Sequence, residues 1–136
     1  VDDFWGKAEW DSLERAMEEV FPENRWRAIP NDHPILQSPF KLANCPQVPA
    51  RDFASPVQHY DPPGIHKWPT GGDAGVNTVN FRGWFDDEDR LMMVATHNTD
   101  IGDGWEREAE GEWYFQPFST TSYAMGINII VYAMTH

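Results

Sequence analysis

Arg90-Leu-Met-Met-Val-Ala-Thr-His-Asn-Thr-Asp-Ile-Gly-Asp-Gly-Trp-Glu106 is the stretch whose reading decides the fold. Its first half is a continuous apolar run, Leu91 to Ala95, of the length a buried strand takes. Its second half is dense in side chains able to bind or catalyse: Thr96, His97, Asn98, Asp100, Asp103 and Glu106. An apolar strand running into a polar loop is how an open α/β sheet presents a site, because ligands bind in the crevice outside the carboxyl ends of its strands. The predicted site therefore lies at the carboxyl end of this strand. No stretch of the chain forms a specific catalytic motif.

Upstream, Val76 to Phe85 has strand composition, and Asp86-Asp-Glu-Asp89 separates it from the central run. This predicts a β-hairpin with an acidic turn. The four carboxylates lack the alternate spacing and glycine of an EF-hand calcium loop, so a solvated hairpin tip is the reading. Downstream, Trp105 to Glu112 is polar. Trp113 to Phe118 is aromatic and is expected to pack a loop against the body. Ser119-Thr-Thr-Ser122 reads as a helix N-cap region. Tyr123 to Met134 reads as a helix with Tyr123, Ile127, Ile130, Val131 and Met134 on one face and Gly126 allowing close approach. A buried strand through Ile129-Ile130-Val131 is the alternative.

The opening, Val1-Asp-Asp-Phe-Trp-Gly6, reads as a strand end entering a loop, with Asp2 and Asp3 at the sheet's carboxyl edge. It lacks a methionine, which predicts a fragment whose preceding strands are missing. Lys7 to Phe21 is the clearest helix, with Trp10, Leu13, Met17, Val20 and Phe21 on one face, and Pro22 stops it. Arg25 to Ile29 reads as a short strand, Pro30 to Pro34 as a turn holding His33, and Ile35 to Phe40 as a short helical turn. Residues 42–75 are rich in Pro and Gly without periodicity. Such a loop is expected to be a partly ordered excursion or lid, pinned by Phe53, Tyr60, Ile65 and Trp68.

With 136 residues the chain makes a single α/β domain, and seven Trp and eight Phe supply a core. The net charge of −12 excludes nucleic acid and anionic lipid surfaces, which need a basic footprint. No membrane-inserting run is present. A small ligand, a protein partner or a second copy of the chain remains. The single cysteine, Cys45, forms no intrachain disulfide and sits in no strand-to-helix elbow.

Three constellations carry candidate chemistry. Asp3, His97 and Asp100, with His33 and Asp103 nearby in the predicted layout, could hold a divalent metal; the bland reading is that Asp-rich loops cap helices and form turns. Asp3 or Asp100 beside His97 could form a carboxylate–imidazole pair for acid–base work, although no Gly-x-Ser-x-Gly is present. Trp5, Trp10, Trp68, Trp84, Trp105 and Trp113 could line a sugar or peptide groove, or simply fill the core.

Four pieces taken together resemble the bacterial domain-of-unknown-function family 4159. They are Val1-Asp-Asp-Phe-Trp-Gly6, Asp32-His-Pro34 with Ile35, the central stretch through Glu106, and Gly126-Ile-Asn-Ile-Ile-Val-Tyr132. The resemblance runs in order over nearly the whole chain. It implies a three-layer, flavodoxin-like α/β sheet with flanking helices, similar to class I glutamine amidotransferases. It implies members longer at the N-terminus, often parts of exported or membrane-associated bacterial proteins, with no established activity. The amidotransferase Cys, His and Glu are not matched here, so that catalysis is not implied. The residues that carry the family pattern are Asp2, Asp3, His33, Asn98, Asp100 and Asp103.

The leading expectation is a domain that binds a ligand or partner through Asp2, Asp3, His33, Asn98 and Asp103, without amidotransferase catalysis. A metal-assisted hydrolase of a carbohydrate or amide, with Asp3, His97 and Asp100 on the metal, is the first alternative. A structural protein–protein module is the second.

Overall fold

The computed structural model describes residues 1–50, the strand segments 54–55 and 64–65, residue 76 and residues 78–136. The hairpin forms as the central stretch predicts. Strands β4 (Asn80–Phe85) and β5 (Leu91–His97) pair antiparallel, with Asn80 opposite His97 and Arg82 opposite Ala95. The acidic turn is ordered by its own first carboxylate: Asp86 accepts the backbone N–H groups of Glu88 at 3.0 Å and Arg90 at 2.8 Å. Strand β1 (Trp26–Ala28) pairs antiparallel with β4 on its other side. The short strands β2 (Ala54–Ser55) and β3 (Gly64–Ile65) pair with each other. Of the residues expected to pin this segment, Phe53, Tyr60 and Trp68 lie outside the described residues, and Ile65 falls in β3.

The N-terminal segment joins the sheet on the free edge of β5. The Thr96 N–H donates to the Val1 carbonyl at 2.9 Å and the Asn98 N–H to the Phe4 carbonyl at 3.0 Å, with Phe4 bridged to His97 in the parallel sense. Asp2 and Asp3 therefore reach the carboxyl edge of β5. Because β1 and β5 are both antiparallel to β4, they run the same way and their carboxyl ends share that edge.

The register sorts the side chains onto two faces. Asn80, Arg82 and Trp84 share one face with Met93, Ala95 and His97. Helix α1 (Gly6–Val20) covers it, Trp10 and Leu13 packing with Phe4, Ala95 and Trp26. Val20 and Phe21, expected on the same buried side, are instead exposed, because the helix ends at Val20 and Phe21 leaves the helical backbone (φ −133°, ψ 75°). Phe81, Phe85, Leu91 and Val94 face the other way, where helix α4 (Thr120–Thr135) brings Met125, Ile129 and Tyr132. The result is an open, three-stranded antiparallel sheet flanked by helices on both faces, consistent with part of a flavodoxin-like α/β arrangement. Among the described residues no helix is long and apolar enough to cross a membrane.

Four expectations need correction. First, the polar loop after β5 folds into a short helix, α2 (Ile101–Glu106), because Asp100 caps it by accepting the Asp103 N–H at 2.8 Å and Ile101 is buried. Second, the aromatic stretch is not a loop. It is helix α3 (Glu112–Tyr114) followed by a π-helical turn, Phe115–Ser119, that runs straight into α4. Third, Ser119 has helical backbone angles (φ −63°, ψ −42°) and makes no capping bond, so it does not start a helix. Fourth, the face of α4 chosen as core points outward: Ile130 is 58 % and Met134 80 % exposed. The buried face carries Ser122, Met125, Gly126 and Asn128 instead.

That choice has a packing cause. A Cβ at Gly104 of α2 would coincide with the Ser122 hydroxyl, and one at Gly126 would meet the Trp105 ring. The two helices approach through small residues. Asn128 reinforces it, accepting the Phe40 N–H at 2.9 Å and donating to the Phe40 carbonyl at 2.7 Å. A buried amide needs both partners, and only this rotation of α4 supplies them.

Candidate functional site

The carboxyl end of β5 is buried although every side chain there is polar: Thr96, His97, Asn98, Thr99 and Asp100. Such burial is tolerable only when each group finds a partner. The Thr96 hydroxyl donates to the Asp2 carboxylate, whose other oxygen accepts the Gly102 N–H at 2.7 Å. Asn98 adopts the left-handed backbone region (φ 64°), which Asn tolerates better than most residues. Its side-chain oxygen accepts the Gly6 N–H at 2.8 Å, and its amide nitrogen donates to the Thr78 carbonyl at 2.8 Å. The Thr99 hydroxyl accepts the Val48 N–H at 2.8 Å and donates to the Pro46 carbonyl at 2.9 Å. The polar half of the central stretch is thus a joint that locks the N-terminal segment, the start of α1, residues 46–48 and the start of α2 together.

The acidic candidates gather at this joint. The Asp100 carboxyl is pushed up to about 7, first by burial and then by the charges of Asp103, Asp3 and Asp2, against the opposing hydrogen bond from the Asp103 N–H. Asp3 is exposed, with φ 56°, and accepts the Trp5 indole N–H at 3.3 Å. Asp103 is half-buried, with Arg107 at 4.0 Å.

The histidines do not join them. The His97 side chain turns onto the α1 face, between Phe4 and Trp10 at ring separations of 5.0 and 5.4 Å. Its Nε2–H donates to the Gly6 carbonyl at 2.9 Å, and Nδ1 accepts from the Asn80 amide at 3.2 Å. A carbonyl only accepts, so the proton sits on Nε2. Burial lowers the His97 pKa, with the Gly6 carbonyl opposing. Neither Asp3 nor Asp100 bonds the ring, so the expected carboxylate–imidazole pair does not form, and Asp3, His97 and Asp100 do not converge. His33 is further away. Its Nδ1 accepts the Ile35 N–H at 3.3 Å at the start of the 3₁₀ turn Pro34–Leu36, and its ring packs on Tyr132 at 5.3 Å. Tyr132 itself lines a hollow together with Asp89, Arg90, Leu91 and Met92, at the opposite end of β5. Among the described residues no group of three or more His, Cys, Asp or Glu side chains is placed to hold a metal ion.

The tryptophans are distributed as well. Trp5, Trp10 and Trp84 are core, Trp105 lies over Gly126, Trp113 packs edge-on to Tyr114, and Trp68 is outside the described residues. Cys45 is buried, and burial pushes its thiol well above the ordinary range, with the Asp2 charge adding to the effect.

The open space at this edge lies beside the acidic joint, on the β1–β4 side. A cavity of about 530 Å³ is lined by Asn31, Asn44, Cys45, Gln47, Asn80 and Arg82, among others. A smaller one of about 210 Å³ is lined by Gly6, Lys7, Trp10, Asn80, Arg82, His97 and Asn98. Asn80 and Arg82 belong to both. The Arg82 guanidinium lies 3.7 Å over the Trp10 ring. It makes no ion pair with a described carboxylate, and its Nη1 is buried with no hydrogen-bond partner among the described residues. Burial lowers its pKa, with Glu14 the opposing charge. Strand alternation in Val76 to Phe85 could have put Asn80 and Arg82 on one face. That their strand begins at the same edge where β5 ends is a fact of pairing.

A family model described as Domain of unknown function (DUF4159) matches residues 1–134. No curated protein and no solved structure matches the chain.

Proposed function

The chain belongs to the DUF4159 family, and on that premise we propose that it is an α/β domain binding a small anionic ligand, a carboxylate or phosphate, in the cleft at the sheet's carboxyl edge. Arg82 is the anchoring cation. Asn80, Asn44 and Gln47 are the positioning amides, and Asn98 and His97 form the inner wall. In this reading Asp2 and Asp103 hold the wall from behind, Asp3 forms its exposed rim, and His33 takes no part.

The observation that carries the proposal is Arg82. In a chain of net charge −12, a half-buried guanidinium at the seam of two cavities makes no ion pair with a described carboxylate. An unsatisfied buried N–H costs about 1–3 kcal/mol, and stacking on Trp10 returns about 1 kcal/mol. An oxyanion bound bidentately would offset the remainder. The larger cavity, about 530 Å³, falls within the span of roughly 300–1,000 Å³ common to small-ligand pockets.

The finer fold assignment, a flavodoxin-like sheet of the class I glutamine amidotransferase type, belongs to the same proposal. Helices on both sheet faces and the parallel approach of Val1 to Phe4 support it. The absence of amidotransferase catalysis is supported by Cys45, a buried thiol held in its protonated form.

The test is ligand-induced stabilisation with inorganic phosphate and succinate, and glucose as the neutral control. At roughly ten times Kd the anion should add about 1.4 kcal/mol, a rise of a few degrees in Tm. Arg82→Gln should abolish the rise, while Arg82→Lys keeps part of it. Equal shifts in wild type and Arg82→Gln, or a shift with glucose alone, would sink the reading.

A metal-assisted hydrolase is the second reading, and Asp100 favours it. A carboxyl titrating near 7 beside Asp2, Asp3 and Asp103 is suited to proton transfer. Elemental mass spectrometry of the purified protein checks it. Stoichiometric divalent metal that disappears in Asp100→Ala supports it, and metal-free protein overturns it.

A further inference from the structure

At the opposite end of the sheet, the β4–β5 hairpin and the carboxyl end of α1 enclose an apolar hollow of about 300 Å³. Phe21, Trp84, Phe85, Met92 and Met93 line it. Phe21 packs on Trp84 at 6.1 Å yet is 46 % exposed, and Met92 is 65 % exposed. The intramolecular core does not need these side chains where they stand. Burying them would release apolar surface at about 25 cal/mol per Å². Unbranched methionines suit a surface that must adapt to an incoming side chain.

Among the described residues the rim of the hollow carries more acid than base, the one guanidinium over a lining ring, Arg27 at 3.8 Å from Phe85, being paired with Asp89. Asp86 and Asp87 line it directly. Arg90 holds Asp86 at 2.7 Å, whereas Asp87 forms no ion pair among the described residues. The last turn of α1 carries no basic residue, so Glu18, Glu19 and the partial negative charge of the helix end are not balanced within that turn. Arg25 lies 3.5 Å from Glu18, which leaves Glu19 and Glu23 as exposed surplus.

We propose that this hollow is a docking site for a short segment of a partner protein that carries an aromatic or aliphatic side chain flanked by Lys or Arg. The apolar side chain enters between Phe21 and Met92, and the flanking cations meet Asp87 and the end of α1. Charge selects this occupant. A second copy would bring its own −12 to an acidic rim, and an anionic lipid surface would be repelled in the same way.

The test uses the whole chain with labelled methionine methyls and three acetylated, amidated peptides. The first is Lys-Phe-Lys-Leu-Lys, the second has Glu in place of Lys, and the third has Ser in place of Phe and Leu. The first peptide should shift the Met92 and Met93 methyls and bind at least tenfold more tightly than either of the others. Met92→Lys, at an exposed position that leaves the core intact, should abolish binding. Asp87→Lys should weaken it about fivefold at low salt. Equal binding of the three peptides, wild-type binding by Met92→Lys, or shifts confined to the methionines of α4 would overturn the proposal. A concentration-dependent Met92 shift without peptide would assign the hollow to a second copy and overturn it too.

Discussion

Asn98 ties two separate parts of the chain to the carboxyl edge. It combines left-handed backbone (φ 64°), full burial and side-chain bonds to Gly6 and Thr78. Asn98→Ala leaves an N–H and a carbonyl unsatisfied and adds backbone strain, so it should cost about 2–4 kcal/mol. Asn98→Gly loses the same bonds without the strain and should be about 1 kcal/mol less damaging. Urea unfolding of the two variants measures the difference, and an Ala variant as stable as wild type would refute the joint. Asp100 and His97 give opposite pH signatures. Folded Asp100 keeps its proton up to about 7, against an ordinary value of 3.8, so its contribution favours folding at low pH and is lost as pH rises through about 7. The His97 pKa is lowered from 6.5, so the unfolded chain takes that proton first and stability falls as pH drops below about 6.5. Asp100→Asn removes only the first effect, and its stability relative to wild type should climb from pH 4 to pH 8. A flat difference across that range would count against the buried, proton-holding Asp100.

The contact between α2 and α4 depends on two glycines that differ in what they face. Gly104 meets Ser122, which is wholly buried and has nowhere to go. Gly104→Ala should therefore cost about 1–3 kcal/mol by overpacking. Adding Ser122→Gly should recover at least half of that loss, since it removes the clashing atoms. No recovery in the double variant would mean the two helices are not held by this contact. Gly126 meets the ring of Trp105, which is 40 % exposed and can swing outward, so Gly126→Ala should cost less than Gly104→Ala. The outward face of α4 follows from the same contact. The helix is apolar nearly all round, so 3.6-residue periodicity offers two candidate faces. The small-residue face wins because it lets α2 approach and places Asn128 on both backbone groups of Phe40.

Across the whole molecule, the two sheet faces carry separate cores, and most of the large apolar side chains left exposed among the described residues lie on the outside of α4 or in the hairpin hollow. If the outer face of α4 adds nothing to the chain's own packing, Ile130→Lys should change stability by no more than about 0.5 kcal/mol, or about 2 °C in Tm. A melt lowered by more than 5 °C, measured by circular dichroism, would show instead that the face is covered in the folded protein. The local features were legible in the sequence. The apolar run before a polar loop placed β5, four adjacent carboxylates marked the hairpin turn, and the helical spacing found Trp10 and Leu13 on the buried side of α1, though not that Val20 and Phe21 at its end would stand exposed. Each depends on neighbours within a few residues, which is the range over which periodicity, capping and turn chemistry act. The family resemblance also named Asp2, Asp3, His33, Asn98, Asp100 and Asp103 as one group, though not what each would bond, and His33 stands apart from the rest, packed on Tyr132. Only the tertiary structure decided that Asp2 meets Gly102 across 100 positions, that Asn98 meets Gly6 across 92, that His97 turns to the other face and that Arg82 stands over a cleft. These contacts join parts of the chain that have no local reason to meet. Strand pairing and helix packing fix them, and a one-residue change of register would send every one of those side chains to the opposite face of the sheet.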